Sequence, residues 1–499
     1  MIEGKNKVVN YEGAEAYRLS PEWELYVASV TSSLNDKFYE STQTRIEKLR
    51  QLITKCEPAF VAKLAAYTRQ KMNLRSIPLV LTVELAKVHR GDATVKKMVT
   101  QVVQRADEIT ELLAFYQIAN ERGGTKKLNR LSKQLQAGLQ DAFNRFDEYQ
   151  FAKYNRNAKI KLRDALFLVH PKSKDEAQQK LFDKIVNNEL ETPYTWETEL
   201  SALGQAKYAD DEEKAVAFRM KWEELIDSGK VGYMALLRNL RNMLEAEVSQ
   251  QHVTAVCETL SSAEAVRRSK QLPFRFLAAY REISEIKSVY TGQVIDALEQ
   301  AVCVSAANID GFDDDTKVLI ACDVSASMLI PISPKSKIFA YDIGLMLAML
   351  LKSRCKNAIT GMFGETWKII DVPVQGILAN VDAFRHRYGE VGATTNGYLI
   401  IEDLIERKVQ MDKVMIFTDC QLWNNLYDKK ITGLWDTYKT ISPDSKLYLF
   451  DLAGYGTTPM DITREDVYLI AGWSDKIFDI VAAIDNGNNA LDEIRKVKL

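Results

Sequence analysis

Three oxygen-bearing side chains follow one apolar run in the C-terminal part of the chain, in the segment VLIACDVSASM. Asp323, Ser325 and Ser327 come directly after Val318–Cys322, which has the length and apolar content of a buried strand. One carboxylate and two hydroxyls in a tight loop are hard oxygen donors, suited to Mg²⁺, Mn²⁺ or Ca²⁺ rather than to a soft metal. Because Asp and Ser are ordinary turn residues, a plain turn is an equal alternative for this loop alone.

Two later loops offer further oxygen donors. The stretch 392–396 (GATTN) is a small-residue loop that opens a helical pattern and carries two threonine hydroxyls. The stretch 413–419 (KVMIFTD) is a second apolar strand, and it ends in Asp419. In open α/β sheets ligands bind outside the carboxyl ends of the strands, so the three loops are expected at one edge of a sheet.

Asp, two Ser, Thr and Asp on three such loops resemble the metal-ion-dependent adhesion site of von Willebrand factor A domains. The resemblance implies a divalent cation, Mg²⁺ first and Mn²⁺ or Ca²⁺ as alternatives. Its ligands would be Asp323, Ser325, Ser327, Thr395 and Asp419. Thr395 is preferred because Thr-Asn then opens the helix as in that family, and Thr394 is the neighbouring alternative. The family often has Gly-Gly-Thr-Asp where this chain has Ala-Thr-Thr-Asn, so the loop departs from the family in Thr394 and Asn396.

The elements that position these loops alternate between strands and helices, which predicts a mainly parallel sheet with helices on both faces. Strands are predicted at 318–322, 359–363, 368–372, 414–418, 447–451 and 467–471, and helices at 337–352, 377–388, 398–407, before 442 and from 475. The polar, acidic stretch 307–316 precedes them and is predicted to be a linker. We therefore expect a domain over 317–499.

The first part of the chain, from about Pro21 to Val302, has apolar residues at steps of three and four, which predicts amphipathic helices. Short polar breaks separate these helices as antiparallel hairpins would. A long series of helix pairs favours a HEAT-type solenoid, and an ordinary globular helical domain is the alternative. The predicted domain covers 1–306.

Composition limits the choice of function classes. The 499 residues suggest two or more domains, and 46% hydrophobic with 27% charged residues is ordinary for a soluble globular protein. No apolar run approaches the length of a membrane helix, and the N-terminus has no apolar region of a signal peptide. The six scattered cysteines have no metal-ligand spacing and are expected to be reduced, which fits a cytoplasmic protein.

Positive charge is concentrated in the stretch 122–163. Eleven Lys and Arg against three Asp and Glu leave an excess of eight, in a chain whose net charge is -2. Segregated positive charge is what phosphate binding requires, and the interleaved aromatic side chains can stack on unpaired bases. The aromatic residues are Phe143, Phe146, Tyr149, Phe151 and Tyr154. A solvated helix face with its aromatic residues in the core is the alternative.

A helical half followed by an A domain with DVSASM resembles the Ro autoantigen family of TROVE-domain RNA-binding proteins. The segment 234–240 (MALLRNL) is similar to the family's ALLRNL element, and 272–276 (LPFRF) is similar to its Pro-Phe segment. Lys153-Tyr154, Arg156 and His170-Pro171-Lys172 fall where the family has a Lys-Tyr, an Arg and a His ahead of a Pro. The resemblance extends from about Leu19 onwards.

The resemblance implies a ring of HEAT-like helical repeats closed by the A domain, in a monomeric, non-enzymatic protein of a ribonucleoprotein. Y-like small RNAs would bind the outer basic surface, and single-stranded 3′ ends of misfolded noncoding RNAs would enter the ring hole, as in RNA quality control. The residues assigned to RNA are Lys126, Lys127, Arg130, Lys133, Lys153, Arg156, His170, Lys172, Arg238 and Asn239. An Arg-Asn pair such as Arg238-Asn239 can also be a buried clamp between repeats.

Three other functions remain as alternatives. The A domain could act as a metal-dependent adaptor that binds a protein partner, such as an exoribonuclease, through an acidic side chain on the ion. A metal-dependent phosphoesterase is disfavoured, because no second metal site, general base or His is visible beside the motif. The oxygen cluster could also be a vestige that carries no ion.

Overall fold

Helices predominate from Pro21 to Ala306, and an α/β arrangement follows. The computed structural model describes residues 6–31, 40–120, 131–155, 159–306, 309, 312, 315–333, 336–423 and 430–499. Within them, the change from helices to strands between Ala306 and Lys317 confirms the predicted fold class of a helical region followed by a parallel-sheet domain. Lys126, Lys127, Arg130 and Arg156, and most of the predicted linker, lie outside the described residues.

The helices of the first part are short and closely spaced. Those up to Asn187 are α1 Pro21–Val30, α2 Thr42–Lys55, α3 Pro58–Gln70, α4 Ser76–Val88, α5 Thr94–Val102, α6 Asp107–Ala119, α7 Lys133–Phe143, α8 Glu148–Tyr154, α9 Leu162–Val169 and α10 Glu176–Asn187. Those up to Ala306 are α11 Trp196–Gln205, α12 Asp211–Asp227, α13 Tyr233–Glu245, α14 Gln250–Ser261, α15 Ala263–Ser269, α16 Phe274–Ser284 and α17 Thr291–Ala306.

These elements fall into two compact units, one of residues 1–46 and 222–493 and the other of residues 47–221 and 494–499. In the second unit α3 packs against α4 and α5, α4 against α6, and α5 against α7. Alternate helices therefore pack on each other, which is the neighbour pattern of stacked helix pairs. Small residues allow the close approach, since a Cβ at Gly138 of α7 would overlap Val99 of α5.

The α/β part is built on a six-stranded sheet. Its strands are β3 Lys317–Asp323, β4 Asn357–Phe363, β5 Trp367–Ile369, β6 Lys413–Thr418, β7 Lys446–Asp451 and β9 Val467–Ala471, in the order β5-β4-β3-β6-β7-β9. All neighbours are parallel except β4 and β5. This is the doubly wound order, whose switch point lies between β3 and β6. The helices are α18 Ala340–Lys352, α19 Ile377–Arg387, α20 Tyr398–Glu406, α21 Ile431–Lys439, α22 Ile477–Asp485 and α23 Ala490–Arg495.

Several predicted boundaries differ from the structure by one to three residues, and two of these differences have a local cause. Helix α18 begins at Ala340 rather than 337, because the Asp342 carboxylate accepts a hydrogen bond from the Phe339 backbone N–H (2.8 Å) and caps the helix there. Strand β5 begins at Trp367, since the turn after β4 is only three residues long and pairs Phe363 with Trp367.

The first residues of the chain are strands rather than helices. β1 (Lys7–Val9) pairs with β2 (Glu15–Arg18), and β2 pairs with β8 (Thr457–Thr458) in a separate antiparallel sheet. The two compact units group the elements that pack together. The predicted domains 1–306 and 317–499 are instead divided where the helices end and the strands begin. Helices α16 and α17 likewise pack against α18 and α19. The domain division predicted from the sequence stays a prediction.

Candidate metal centre and nucleic-acid surface

The five predicted metal ligands lie on three loops at the switch point of the sheet. β3 ends in Asp323 and β6 ends just before Asp419, and these two strands are direct neighbours. All five side chains are buried: Asp323, Ser325, Ser327, Thr395 and Asp419 are each at most 5% exposed. The arrangement follows from the topology, because parallel neighbours end at the same edge of the sheet.

Backbone hydrogen bonds join the three loops. The Ala326 N–H donates to the Ala393 carbonyl (3.0 Å), and the Trp423 N–H donates to the Thr395 carbonyl (3.0 Å). The middle loop turns at Gly392, whose φ is +74°. A Cβ at the facing Gly364 would overlap the Gly392 carbonyl, so both positions need glycine.

The Asp323 carboxylate is fixed from two sides. Its Oδ1 accepts from the Ser325 N–H (2.9 Å), and its Oδ2 accepts from the Thr418 hydroxyl (2.6 Å). Ser325 and Ser327 bring their hydroxyl oxygens to 3.3 Å from each other. The Asp419 Oδ1 accepts from the Gln421 N–H (2.9 Å). Hydrogen bonds thus fix one oxygen of Asp419 and both oxygens of Asp323, and the two serine hydroxyls lie beside each other.

The charges and the hydrogen bonding of the five predicted ligands fit a divalent cation. Burial and the nearby Asp419 carboxylate raise the pKa of Asp323 to about 7, which is the effect of two acids held together without a counter-charge. The Thr395 hydroxyl is buried and has no hydrogen-bond partner among the described residues. An unsatisfied buried hydroxyl costs about 1–3 kcal/mol, and an ion would satisfy it. Thr394, by contrast, is exposed, so burial favours Thr395 as the ligand.

Two further observations define the chemistry of the centre. Burial and the carboxylates of Asp451, Asp419 and Asp323 raise the pKa of the Cys420 thiol. Across the described part of the chain, no group of three or more His, Cys, Asp or Glu side chains is placed to hold a metal ion. The candidate centre instead combines two carboxylates with three hydroxyls.

In the second predicted site, the basic stretch 122–163, the described cations differ in what they contact. Lys133, Lys159, Lys161 and Arg163 are exposed. Arg145 is exposed as well, but its guanidinium donates to the carbonyls of Thr100 (3.0 Å) and Val103 (2.8 Å) at the end of α5. Partial burial lowers the pKa of Arg145.

The aromatic residues of the same stretch differ in exposure. Phe143, Phe146 and Phe151 are core residues, each at most 6% exposed, so these three cannot stack on bases. Tyr154 lies under the Arg105 guanidinium at 4.3 Å, and Tyr149 is 47% exposed. The core alternative is therefore right for three of the five aromatic residues.

Among the remaining predicted RNA contacts, Lys153 lies near two rings, with its Nζ 5.6 Å from the Tyr149 ring centre and 5.8 Å from that of Tyr154. His170 and Lys172 are exposed just after α9, where His170 adopts a left-handed conformation (φ +49°). Sequence reasoning missed the exposed Phe167, which lies 5.7 Å from the Arg163 guanidinium. Phe167 lies four residues after Arg163 on one helix, and this spacing, which makes the two side chains neighbours, could have indicated the pair from the sequence.

The Arg238-Asn239 pair of α13 has one exposed and one buried member. Asn239 is 3% exposed; its Nδ2 donates to the Ala235 carbonyl (2.8 Å), and its Oδ1 accepts from Asn242 (2.8 Å). This geometry favours the structural role for Asn239. Arg238 is exposed, and burial together with the charge of Arg238 lowers the pKa of Arg275.

The comparisons with known proteins agree with this fold. A family model described as the TROVE domain matches residues 20–221 and 187–305. Telomerase protein component 1 of Rattus norvegicus is 26% identical over 343 residues, 53% of this chain, and that of Mus musculus is 27% identical over 343 residues. The chain spans 13% of the length of each of these two relatives.

A solved structure matches over nearly the whole length of both chains. It is the crystal structure of the RO (RSR) protein of Deinococcus radiodurans, which is 18% identical with a TM-score of 0.59. The match covers 93% of this chain and 100% of that one. At this identity the likeness establishes the fold. No helix in the described ranges is both long and apolar enough to cross a membrane.

Proposed function

The chain belongs to the TROVE-domain family, and we propose that it is a non-catalytic RNA-binding protein that works in a ribonucleoprotein. The family-model match, which covers more than half of the chain, is the observation that carries this proposal. We propose two classes of RNA ligand from the family resemblance. Y-like small RNAs would bind an outer basic surface, and single-stranded 3′ ends of misfolded noncoding RNAs would enter a hole in the helical part.

Exposed cations support the first class of ligand. Lys133, His170 and Lys172 are exposed on or beside α7 and α9, together with Lys159, Lys161 and Arg163. Cations that neutralise phosphates release counterions, so they bind any RNA backbone without reading its sequence. We therefore expect this surface to contribute affinity and salt dependence rather than base specificity.

Exposed aromatic residues beside cations support a preference for unpaired bases. Tyr149 and Phe167 are each 47% exposed, and each has a cation within 6 Å of its ring, Lys153 for Tyr149 and Arg163 for Phe167. A ring can stack on a splayed base while the neighbouring cation contacts its phosphate. A duplex offers no free base faces, so these residues would favour single-stranded segments.

Arg238 is exposed on α13 and its charge acts on the Arg275 guanidinium of α16, which supports a further anion contact there. Two like charges that act on each other cost free energy unless an anion lies between or beside them. A phosphate of the RNA backbone would relieve this repulsion. We accordingly retain Arg238 as an RNA contact.

Charge reversal at one exposed cation tests the proposed surface. Lys172→Glu is expected to weaken binding of a structured RNA about tenfold at low salt and to flatten the salt dependence, since one phosphate contact is lost. The matched control is Lys408→Glu, which makes the same charge change at an exposed position of the α/β part. Equal affinities of the two variants would contradict this placement of the RNA surface.

We also propose that the three-loop centre binds a divalent cation, Mg²⁺ in the first place and Mn²⁺ or Ca²⁺ as alternatives. Asp323, Ser325, Ser327, Thr395 and Asp419 would hold it, and the ion would act as a Lewis acid for an incoming carboxylate. Calorimetric titration with Mn²⁺ tests this. Binding to the unmodified protein that is lost in Asp323→Ala is expected, and absence of binding to both would contradict the site.

A protein-binding adaptor is a second candidate function for the same centre. The exposed Ala326, Ala393 and Thr394 surround the buried oxygens, so an acidic side chain of a partner could reach the ion past small residues. Capture of a purified candidate partner, such as an exoribonuclease, should need Mg²⁺ and fail in Asp323→Ala. Equal capture with and without the ion would exclude this function.

A further inference from the structure

An N-terminal side chain connects the start of the chain with the loop after Asp419. Asn10 follows β1 and is 7% exposed. Its Oδ1 accepts hydrogen bonds from the Glu12 N–H (3.1 Å) and the Ala14 N–H (2.9 Å), which closes the turn between β1 and β2. Its Nδ2 donates to the Leu422 carbonyl (2.8 Å). One side chain therefore shapes the turn and fixes it to the metal-site loop.

Gln421 carries this connection to the Asp419 carboxylate. Its backbone N–H donates to Asp419 Oδ1 (2.9 Å). Its fully buried side chain accepts from the Tyr11 N–H (2.9 Å) and donates to the Thr457 hydroxyl (3.1 Å) of β8. The residue that orients Asp419 is thus held by the N-terminal turn on one side and by β8 on the other.

The connection continues to the loop that carries Thr395. The Trp423 N–H donates to the Thr395 carbonyl (3.0 Å). Leu422 packs so closely on Gly397 that a Cβ there would lie 2.7 Å from the leucine Cδ1. A shift of 421–423 would therefore move Thr395 as well as Asp419.

We propose that the turn 10–14 is a positioning element of the metal centre. Docked on 421–423, it sets Asp419 and Thr395 in the geometry that binds the ion, and docking and ion binding stabilise each other. The inference rests on the proposed metal function. Because coupling free energies are reciprocal, the factor by which the docked turn strengthens ion binding is also the factor by which the ion strengthens docking.

The proposal gives the N-terminal segment a regulatory role. A ligand that displaces β1 and the turn would release Gln421 and lower the affinity of the centre for its ion. A partner that binds through the ion would in turn hold the segment in place. Asn10 and Gln421 are positioning residues in this scheme, since neither is among the metal ligands.

Mn²⁺ titration of the unmodified protein and three variants tests the coupling. We expect Asn10→Ala to bind Mn²⁺ about tenfold more weakly, within the usual range of coupling energies. Val9→Ala, at the neighbouring and 69% exposed position, should bind like the unmodified protein, and Asp323→Ala should not bind. Equal affinity of Asn10→Ala and Val9→Ala would overturn the proposal.

Hydrogen exchange of the unmodified protein tests the same coupling without depending on a variant that may misfold. The Tyr11 and Ala14 amides report docking, because they donate to Gln421 and Asn10. Saturating Mn²⁺ should slow their exchange severalfold, and Asp323→Ala should abolish the effect. Protection of 325–328 without protection of 10–14 would overturn the coupling alone, whereas absence of Mn²⁺ binding would overturn the metal site with it.

Discussion

Arg281 of α16 and Asp342 of α18 form a bidentate ion pair, with both nitrogen–oxygen distances at 2.7 Å. The arginine is 6% and the aspartate 0% exposed. Arg281 also contacts the Asp382 carboxylate (3.2 Å), and Asp342 caps α18 at Phe339. The pair joins the last helices of the helical part to the helix that follows the metal-site loop.

Removing one member of this pair should be strongly destabilising. Arg281→Met leaves the Asp342 carboxylate buried without its partner, so we expect a loss of about 3–5 kcal/mol in the free energy of unfolding. Urea denaturation followed by circular dichroism measures it. Lys337→Met, which removes an exposed ion pair with Glu282 (2.8 Å), should cost less than about 1 kcal/mol. Similar losses for both variants would contradict the burial argument.

Substitutions at two neighbouring residues of α13 should have different effects, one on RNA affinity and the other on the free energy of unfolding. Arg238→Ala should weaken RNA binding severalfold and leave the unfolding free energy within about 0.5 kcal/mol, because its side chain is exposed. Asn239→Ala should cost about 1–3 kcal/mol of stability, because Asn239 is buried and its side chain makes two partly buried hydrogen bonds. Its RNA affinity, measured on the folded fraction, should stay unchanged. The reverse pattern would refute both assignments.

Two arginines of the basic stretch should behave differently. Arg145→Met should lose about 2 kcal/mol of stability, because its guanidinium donates to two carbonyls at the end of α5. Arg163→Met should leave stability unchanged and weaken binding of single-stranded RNA, since Arg163 lies exposed beside Phe167. Thermal unfolding and fluorescence anisotropy distinguish the two effects. A stable Arg145→Met would show that this cation is free for RNA.

The Glu148–Lys184 pair should give a pH-dependent contribution. The hydrogen bonds from Lys184 (2.8 and 2.9 Å) lower the pKa of Glu148, so its stabilisation is present above the usual carboxyl range and is lost as pH falls through the lowered pKa. Glu148→Gln should therefore be less stable at pH 7 and equally stable at low pH, and the difference should be small because solvent screens this partly exposed pair. A constant difference across pH would contradict the assignment. Glu176→Gln is the control.

The metal loops were predictable because their signals are local. Two of the three loops follow an apolar strand, and the carboxyl ends of parallel neighbours must meet, so Asp323 and Asp419 could be placed together from the sequence. The doubly wound sheet followed from the same alternation. The observed start of α18 differs from the predicted one because a single side chain, Asp342, caps the helix.

The N-terminal sheet could not be predicted from local patterns. β1 and β2 are three and four residues long, and the partner of β2 lies more than 400 residues away in a two-residue strand. The role of Arg145 was hidden for a similar reason, since its acceptors lie on another helix. In the aromatic residues, periodicity could not separate the core Phe151 from the exposed Tyr149, because α8 has only seven residues.

We propose that this chain binds RNA through its helical part and prefers RNAs with a single-stranded 3′ end. The most direct measurement is a binding titration with a misfolded structured RNA that carries a single-stranded 3′ tail and with the same RNA lacking the tail, each at two salt concentrations. We expect tighter binding of the tailed RNA and a steep loss of affinity at the higher salt. Weak binding of both RNAs that does not change with salt would contradict the claim.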